Sequence, residues 1–154
     1  MNQIGGDVMN RKEEALKVFG CGFNCSQAVL SVFCEEFNCD KELALKIATG
    51  FGGGMRKGEV CGAVTGAIMV LGLKYGHYIE GDTETKSKAH ALTSEFIRRF
   101  EDKYGTIICK KLLGYDLSNP EEYTLLNEKG MFKSMCPKFI EDAIGILEGL
   151  ICTM

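Results

Sequence analysis

Apolar residues recur at helical spacing along most of the chain. The longest series lies within residues 82–104 and consists of Ala89, Leu92, Phe96 and Phe100, three and four residues apart. Residues at this spacing share one face of an α-helix, and such a face is normally buried. The series therefore predicts a long helix with Asp82 as its cap and its end near Tyr104.

Capping residues predict three shorter helices before it. The first covers residues 8–19 and stops at the glycines that follow. Asn24 caps the second, which runs through apolar positions to Phe37, and Gln27 stands where a capping box needs it. The third covers residues 40–48, with its aspartate as the cap.

The glycine-rich stretch GFGGGMRKG at residues 50–58 is a loop by composition, and it leads into an apolar helix that starts near Gly58. Thr106 is predicted to cap a short helix that ends at Leu113. Asn119 with the proline after it opens another helix, which Gly130 closes.

The last helix is predicted to start at Pro137. Its apolar face consists of Ile140, Ala143, Ile144, Leu147, Leu150 and Ile151. No strand series, repeat or linker is evident. The pattern predicts an all-α fold, in which residues 1–154 form a single compact multi-helix bundle with short glycine-rich and capped connections.

Composition and charge narrow the possible partners. With 18 basic and 21 acidic residues the net charge is −3, and the absence of a long basic run argues against a nucleic-acid partner. The longest apolar stretch, residues 60–73, is shorter than the ~20 residues of a membrane span. The first residues do not have the pattern of a secretory signal, so we expect a cytoplasmic protein.

Eight cysteines add the candidate chemistry. A reducing cytosol keeps cysteines as thiols unless they perform chemistry or hold a metal. Cys25, Cys61, Cys109 and Cys136 fall at predicted helix starts, where the helix dipole and free N–H groups lower a thiol pKa by roughly 0.2 to 1.5. Basic residues near these cysteines could add to the effect, and they are Arg56, Lys57, Lys110, Lys111, Lys133 and Lys138.

The other four cysteines are assigned differently. Cys34 and Cys152 lie inside predicted helices and are expected to pack as small apolar residues. Cys21 lies four residues before Cys25, which is not the CxxC spacing of a redox pair. The role of Cys39 stays open, since the C-x4-C spacing from Cys34 lacks the C-x2-C continuation of a ferredoxin loop.

The segment CGAVTG at residues 61–66 resembles the CGAxxG element of the C_GCAxxG_C_C family of redox-active proteins. NCSQAV supplies the preceding pattern cysteine, Cys25, and Cys109 and Cys136 stand where the last two are expected. The resemblance spans roughly residues 20–140. It implies redox activity, and some proteins with a similar domain carry iron-sulphur centres.

The sequence therefore favours thiol-disulfide exchange or electron transfer by Cys25, Cys61, Cys109 and Cys136, as in a thiol-disulfide oxidoreductase. Cys61 is the favoured attacking thiol. One alternative gives the same four residues to a metal or an iron-sulphur cluster as ligands, and another is a noncatalytic helical scaffold. We expect a redox partner protein and consider a homo-oligomer.

Gly62 and Gly66 lie one helical turn apart and form a groove that lets another backbone approach closely. This close packing is predicted to bring the four pattern thiols together. The glycine-rich stretch matches no nucleotide-binding loop, but its glycines with Arg56 and Lys57 could admit a small anion near Cys61. His77 is a weaker candidate to approach the thiols.

Overall fold

The computed structural model describes residues 10–152, with side chains for residues 10–151. The proposed start of the first helix, near Val8, lies outside these residues. Within them the chain is all-α, as predicted, and two extended residues form a single bridge, Val60 with Ile108. No helix among the described residues is long and apolar enough to cross a membrane.

The N-terminal part contains three α-helices and a 3₁₀ turn. Helix α1 is Arg11–Gly20, α2 is Cys25–Ser31 and α3 is Lys41–Ala48. The capping predictions for α2 and α3 are confirmed, because Asn24 and Gln27 form a reciprocal capping box and the Asp40 carboxylate accepts from the third helical N–H. A 3₁₀ turn, Thr49–Phe51, follows.

The C-terminal part contains five α-helices. They are α4 (Gly62–Tyr75), α5 (Thr83–Tyr104), α6 (Cys109–Leu113), α7 (Pro120–Glu128) and α8 (Met131–Cys152). The Asp82 cap of α5 and the Asn119 cap of α7 are confirmed. Leu92, Phe96 and Phe100 are buried on α5, and Phe96 and Phe100 are fully enclosed.

Four predicted boundaries were wrong. Helix α2 ends at Ser31 rather than near Phe37, because the chain turns back there toward α3. Helix α4 begins after Cys61, since residues 59 and 60 are extended by the bridge. Thr106 is not the cap of α6, because its hydroxyl accepts from Ile108 N–H and Ile108 itself is the cap.

The start of α8 is the fourth correction. The helix begins at Met131, and Pro137 lies inside it. A proline is favoured as the first helical residue because it lacks an N–H. Here it lies inside the helix, and the intrahelical hydrogen bond to Lys133 C=O is missing. Cys136 is consequently in the second turn of α8 and not at a helix start.

The core lies where α2, α4, α5 and α8 meet. Helix α4 has its most extensive contacts with α2 and also packs on α5 and α8, while α1 packs on α8. Large enclosed side chains from all four helices fill the centre, among them Phe33, Leu71, Phe96 and Ile144. This arrangement places the N-terminal ends of α2, α4 and α6 on one side of the core.

Candidate functional site

The four predicted cysteines line one cavity. Cys25, Cys61, Cys109 and Cys136 come from segments far apart in the sequence, yet all four border the same space of about 360 Å³. Each is buried, with between 4% and 9% of its surface exposed. We call these four residues the thiol cluster.

Cys25 is the first residue of α2, and its sulphur is surrounded by backbone N–H groups. Burial raises the pKa of the Cys25 thiol, and hydrogen bonds from the backbone N–H groups of Gly53, Ser26, Gly62 and Cys25 itself offset part of this rise. These are free donors of a helix start and of the glycine-rich stretch, so they require no side chain. Cys25 is thus the cluster thiol at which backbone N–H groups most oppose the effect of burial.

Close contact between α2 and α4 explains the two glycines of the central motif. A Cβ on Gly62 would lie 2.3 Å from Cys25 Sγ, and one on Gly66 would lie 2.7 Å from the Ser26 carbonyl oxygen. Both distances are far below van der Waals contact. The predicted groove is therefore present, and it brings the backbone of α4 directly against the start of α2.

A short backbone bridge sets the positions of Cys61 and Cys109. Cys61 N–H donates to Ile107 C=O at 2.7 Å, and Cys109 N–H donates to Glu59 C=O at 2.6 Å. In an antiparallel pair, residues one step beyond the bridge on each strand point to the same face. Both thiols consequently face the cavity from adjoining segments.

Cys136 reaches the cavity from the side of α8. Phe132, Cys136 and Phe139 all line the cavity, and their spacing of four and three residues puts them on one helical face. The predicted helix start was wrong for this residue, but its place in the cluster does not depend on it.

Burial dominates the electrostatics of the cluster. It raises the pKa of Cys109 and of Cys136 to about 12, with neighbouring cluster thiols as the next cause. Burial also raises the pKa of Cys61 well above its ordinary value, followed by the effect of Cys25. The N–H groups of Ala63 and Val64 oppose this only weakly, since the Cys61 side chain makes no capping hydrogen bond.

The expected lowering of thiol pKa by helix dipoles is thus outweighed. Desolvation disfavours a thiolate more than one helix terminus favours it. The largest contributions at Cys61 include none from a lysine or arginine, and Lys110 pairs with Glu59 instead. The four buried thiols of the cluster are therefore protonated at neutral pH.

The glycine-rich stretch is an ordered left-handed turn rather than an irregular loop. Gly53, Gly54, Met55 and Arg56 all have φ between 58° and 64°, and Glu59 N–H closes the turn on Gly54 C=O at 3.0 Å. Left-handed backbone costs roughly 1–2 kcal/mol at a residue with a Cβ. Met55 and Arg56 carry this strain beside the cavity.

Arg56 lines the cavity with Cys61, near which the sequence placed it, whereas several aromatic lining residues were not predicted. Arg56 borders the cavity with its guanidinium 5.9 Å from the centre of the Tyr123 ring. The other aromatic lining residues are Phe19, Phe23, Phe132 and Phe139. They come from α1, the α1–α2 connection and α8, so no spacing in the sequence marks them as a set.

Residues outside the cluster have other settings. Cys21 is exposed, Cys34 is buried as predicted, and Cys39 is half-buried. The described cysteines are free thiols. Cys152 lies outside the described side chains. His77 is exposed after the far end of α4, and it does not line the cavity.

The sulphur atoms of the thiol cluster are donors of a kind that can bind metals. Thiolates are the donors that iron-sulphur clusters and zinc accept in proteins. Among the side chains of residues 10–151, no three histidine, cysteine, aspartate or glutamate residues are placed to hold a metal ion. As arranged here, the cluster does not fit a single metal ion.

Comparison with known proteins agrees with this site. A family model described as "Putative redox-active protein (C_GCAxxG_C_C)" matches residues 23–150, which include the whole thiol cluster. Comparison with curated proteins and with solved structures gave no match.

Proposed function

The chain belongs to the C_GCAxxG_C_C family of redox-active proteins, and we propose that it performs reversible thiol-disulfide exchange at the thiol cluster. The observation that carries the proposal is the convergence of all four pattern cysteines on one cavity. A scaffold has no need to gather thiols from α2, α4, α6 and α8 around an open space. Redox chemistry does, because one thiol must attack and another must resolve.

Cys25 is the thiol whose surroundings best suit the first attack. Burial raises the pKa of all four cluster thiols, but four backbone N–H groups oppose the rise at Cys25, two oppose it at Cys61, and none contributes at Cys109 or Cys136. The sequence favoured Cys61 for this role on account of its helix start and nearby cations. Cys61 would then serve as a resolving thiol, because it lies close enough to Cys25 for that residue to raise its pKa.

The exchange moves two electrons. Cys25 loses its proton and attacks one sulphur of a substrate disulfide, the substrate S–S bond breaks, and the leaving thiolate takes up a proton. A second cluster thiol then loses its proton and attacks Cys25 sulphur. The second substrate thiol leaves and is protonated, and the protein retains an internal disulfide. Three pairings involve Cys25.

The cavity favours a small disulfide as substrate. The cluster thiols are less than a tenth exposed, so a disulfide held on a folded protein cannot reach them through this opening. Aromatic walls and the Arg56 guanidinium suit a compact molecule that carries apolar groups and a negative charge. A redox partner protein, a homo-oligomer and a cytoplasmic location remain predictions from the sequence.

The test begins with full-length protein purified without oxygen. Iron, zinc and acid-labile sulphide are measured first, with an absorption spectrum. The reduced protein is then incubated with glutathione disulfide, quenched in acid, alkylated and mapped by mass spectrometry. Cys25→Ser removes the proposed attacking thiol, and Cys21→Ser is the matched control that removes an exposed thiol outside the cavity.

We expect a metal-free protein in which two cluster cysteines become linked, in wild type and in Cys21→Ser but not in Cys25→Ser. Stoichiometric iron and sulphide that disappear in Cys61→Ser would replace the proposal with the electron-carrier alternative. Cluster thiols that are neither linked nor alkylated in the native protein would instead support the scaffold.

A further inference from the structure

We propose that Cys34 and Cys39 form a second dithiol site, which closes to a disulfide by exchange with a small disulfide oxidant. These two cysteines lie outside the family pattern and outside the cavity of the thiol cluster. They stand at the opposite end of α2, in the connection to α3. The site therefore operates independently of the function proposed above.

The backbone already holds the Cα atoms of the two cysteines close enough for a disulfide to join their side chains. Cys39 N–H donates to Cys34 C=O at 2.9 Å, across a turn in which Asn38 adopts the left-handed conformation at φ 51°. This bond keeps the two Cα atoms within about 7 Å, the separation that a disulfide spans. The Cys39 side chain also lies near enough to the Cys34 sulphur to raise the pKa of that thiol.

The two thiols differ in access. Cys34 is 2% exposed and donates to Leu30 C=O at 3.5 Å, while Cys39 is half-buried and donates to the exposed Asp40 C=O at 3.7 Å. Burial, and then the Cys39 side chain, raise the pKa of Cys34 to about 11. Cys39 is thus the thiol that an oxidant meets, and Cys34 is the thiol that resolves.

The reaction is balanced by the oxidant. Cys39 loses a proton and attacks one sulphur of the small disulfide, which releases one thiol and leaves a mixed disulfide on Cys39. Cys34 then loses its proton to the second leaving thiolate and attacks Cys39 sulphur. The protein gives up two electrons, and the small disulfide is reduced to two thiols.

Two acidic residues make the test specific. Glu35 and Glu36 lie between the cysteines, so a glutamate-specific protease separates Cys34 from Cys39 unless a disulfide joins them. Reduced full-length protein is incubated with glutathione disulfide, quenched in acid, alkylated, digested without reduction and analysed by tandem mass spectrometry. The variants are Cys34→Ser, Cys39→Ser, Cys25→Ser and Cys21→Ser.

We expect a linked pair of peptides that bear Cys34 and Cys39, two hydrogens lighter than their sum, in wild type, Cys25→Ser and Cys21→Ser. Cys34→Ser should lose the link and retain glutathione on Cys39, and Cys39→Ser should leave Cys34 unmodified. The proposal is overturned if Cys39 is alkylated in full after oxidation, or if it is linked to a cysteine other than Cys34. Since Cys25→Ser removes cluster chemistry, failure of one site is distinguishable from failure of the other.

Discussion

The two ends of α2 hold thiols in opposite electrostatic settings. At the N-terminal end, backbone N–H groups point at Cys25 sulphur. At the C-terminal end, Cys34 and Cys39 donate to carbonyl oxygens. A helix exposes donors at its start and acceptors at its end, so the start of α2 opposes the rise in thiol pKa that burial causes, and the end of α2 does not.

The two ends also assemble their thiols differently. The N-terminal site needs α4, α6 and α8 to bring in Cys61, Cys109 and Cys136, whereas the C-terminal pair is local and closed by one turn. Disruption of helix packing should therefore damage the cluster and spare the pair. The four predictions below test this contrast, from the largest expected effect to the smallest.

High pH should lower the free energy of unfolding through the thiols of the N-terminal site, and over a wider pH range than through Cys34. Unfolded thiols ionise near 9, while Cys109 and Cys136 in the folded chain ionise near 12. The folded state thus keeps protons that the unfolded state loses, so the free energy of unfolding falls as pH rises from 9 to 12. The slope is about 1.4 kcal/mol per pH unit for each thiol.

Denaturant titrations at stepped pH under reducing conditions measure this slope. For Cys34 at the other end, where the pKa is about 11, the corresponding loss stops about one pH unit earlier. Cys109→Ser should reduce the slope above pH 9 by the contribution of one thiol. An unchanged slope in that variant would contradict the assigned burial.

Gly66→Ala should separate α2 from α4. The new Cβ would meet backbone atoms of Ser26, which cannot move aside as a side chain can. Overpacking costs about 1–3 kcal/mol, against a gain of up to ~1 kcal/mol in helix preference. We expect a net loss in the free energy of unfolding, measured in urea, with faster alkylation of Cys25.

Gly72→Ala is the matched control in the same helix, because nothing lies within 4 Å of its added Cβ. It should stabilise the protein by up to ~1 kcal/mol. Equal effects of the two substitutions would show that the close approach of α2 and α4 does not matter.

Asn24→Ala should weaken the N-terminal end without overpacking. It removes the capping box and the hydrogen bond from Asn24 Nδ2 to Thr49 C=O, 2.9 Å long. Loss of a cap costs about 0.5–2 kcal/mol. Asn119→Ala removes the cap of α7 and should cost less, since its side chain only accepts from Glu121 and Glu122. Thermal unfolding of both variants ranks them.

Met55→Gly should relieve strain in the left-handed turn beside the cavity. The left-handed penalty of about 1–2 kcal/mol exceeds the ~0.4–1 kcal/mol that glycine adds to the entropy of the unfolded chain. We expect a stabilisation of up to about 1.6 kcal/mol. Asn38→Gly at the other end should change little, because asparagine tolerates this conformation. Lys57→Gly, outside the left-handed set, should destabilise, and a gain there would refute the argument.

The starts of several helices were predictable from the sequence, whereas the end of α2 was not. Caps such as Asn24, Asp40 and Asp82 act through neighbours in the sequence, and their predictions are confirmed. The end of α2 at Ser31 was missed because apolar residues continue to Phe37. Those residues pack on the core as a turn, which periodicity does not distinguish from a helix.

The candidate site was predictable in its cysteines and not in its chemistry. Glycine spacing indicated that another backbone approaches α4 closely, because one residue type carries that geometry, and the structure shows that this backbone is the start of α2. The pKa of each thiol depends on burial, which sequence position does not give, so the expected lowering turned into a rise. Arg56 joins the cavity through a left-handed turn that no propensity predicts.

The bridge between Val60 and Ile108 has a consequence for how the chain folds. It closes a loop that contains both α4 and α5, and the entropic cost of closing so long a loop is best offset once those helices have packed. We therefore expect Cys61 and Cys109 to meet late in folding, when most of the core is in place. Such an order would disfavour premature cross-linking between these two thiols before the native cavity exists.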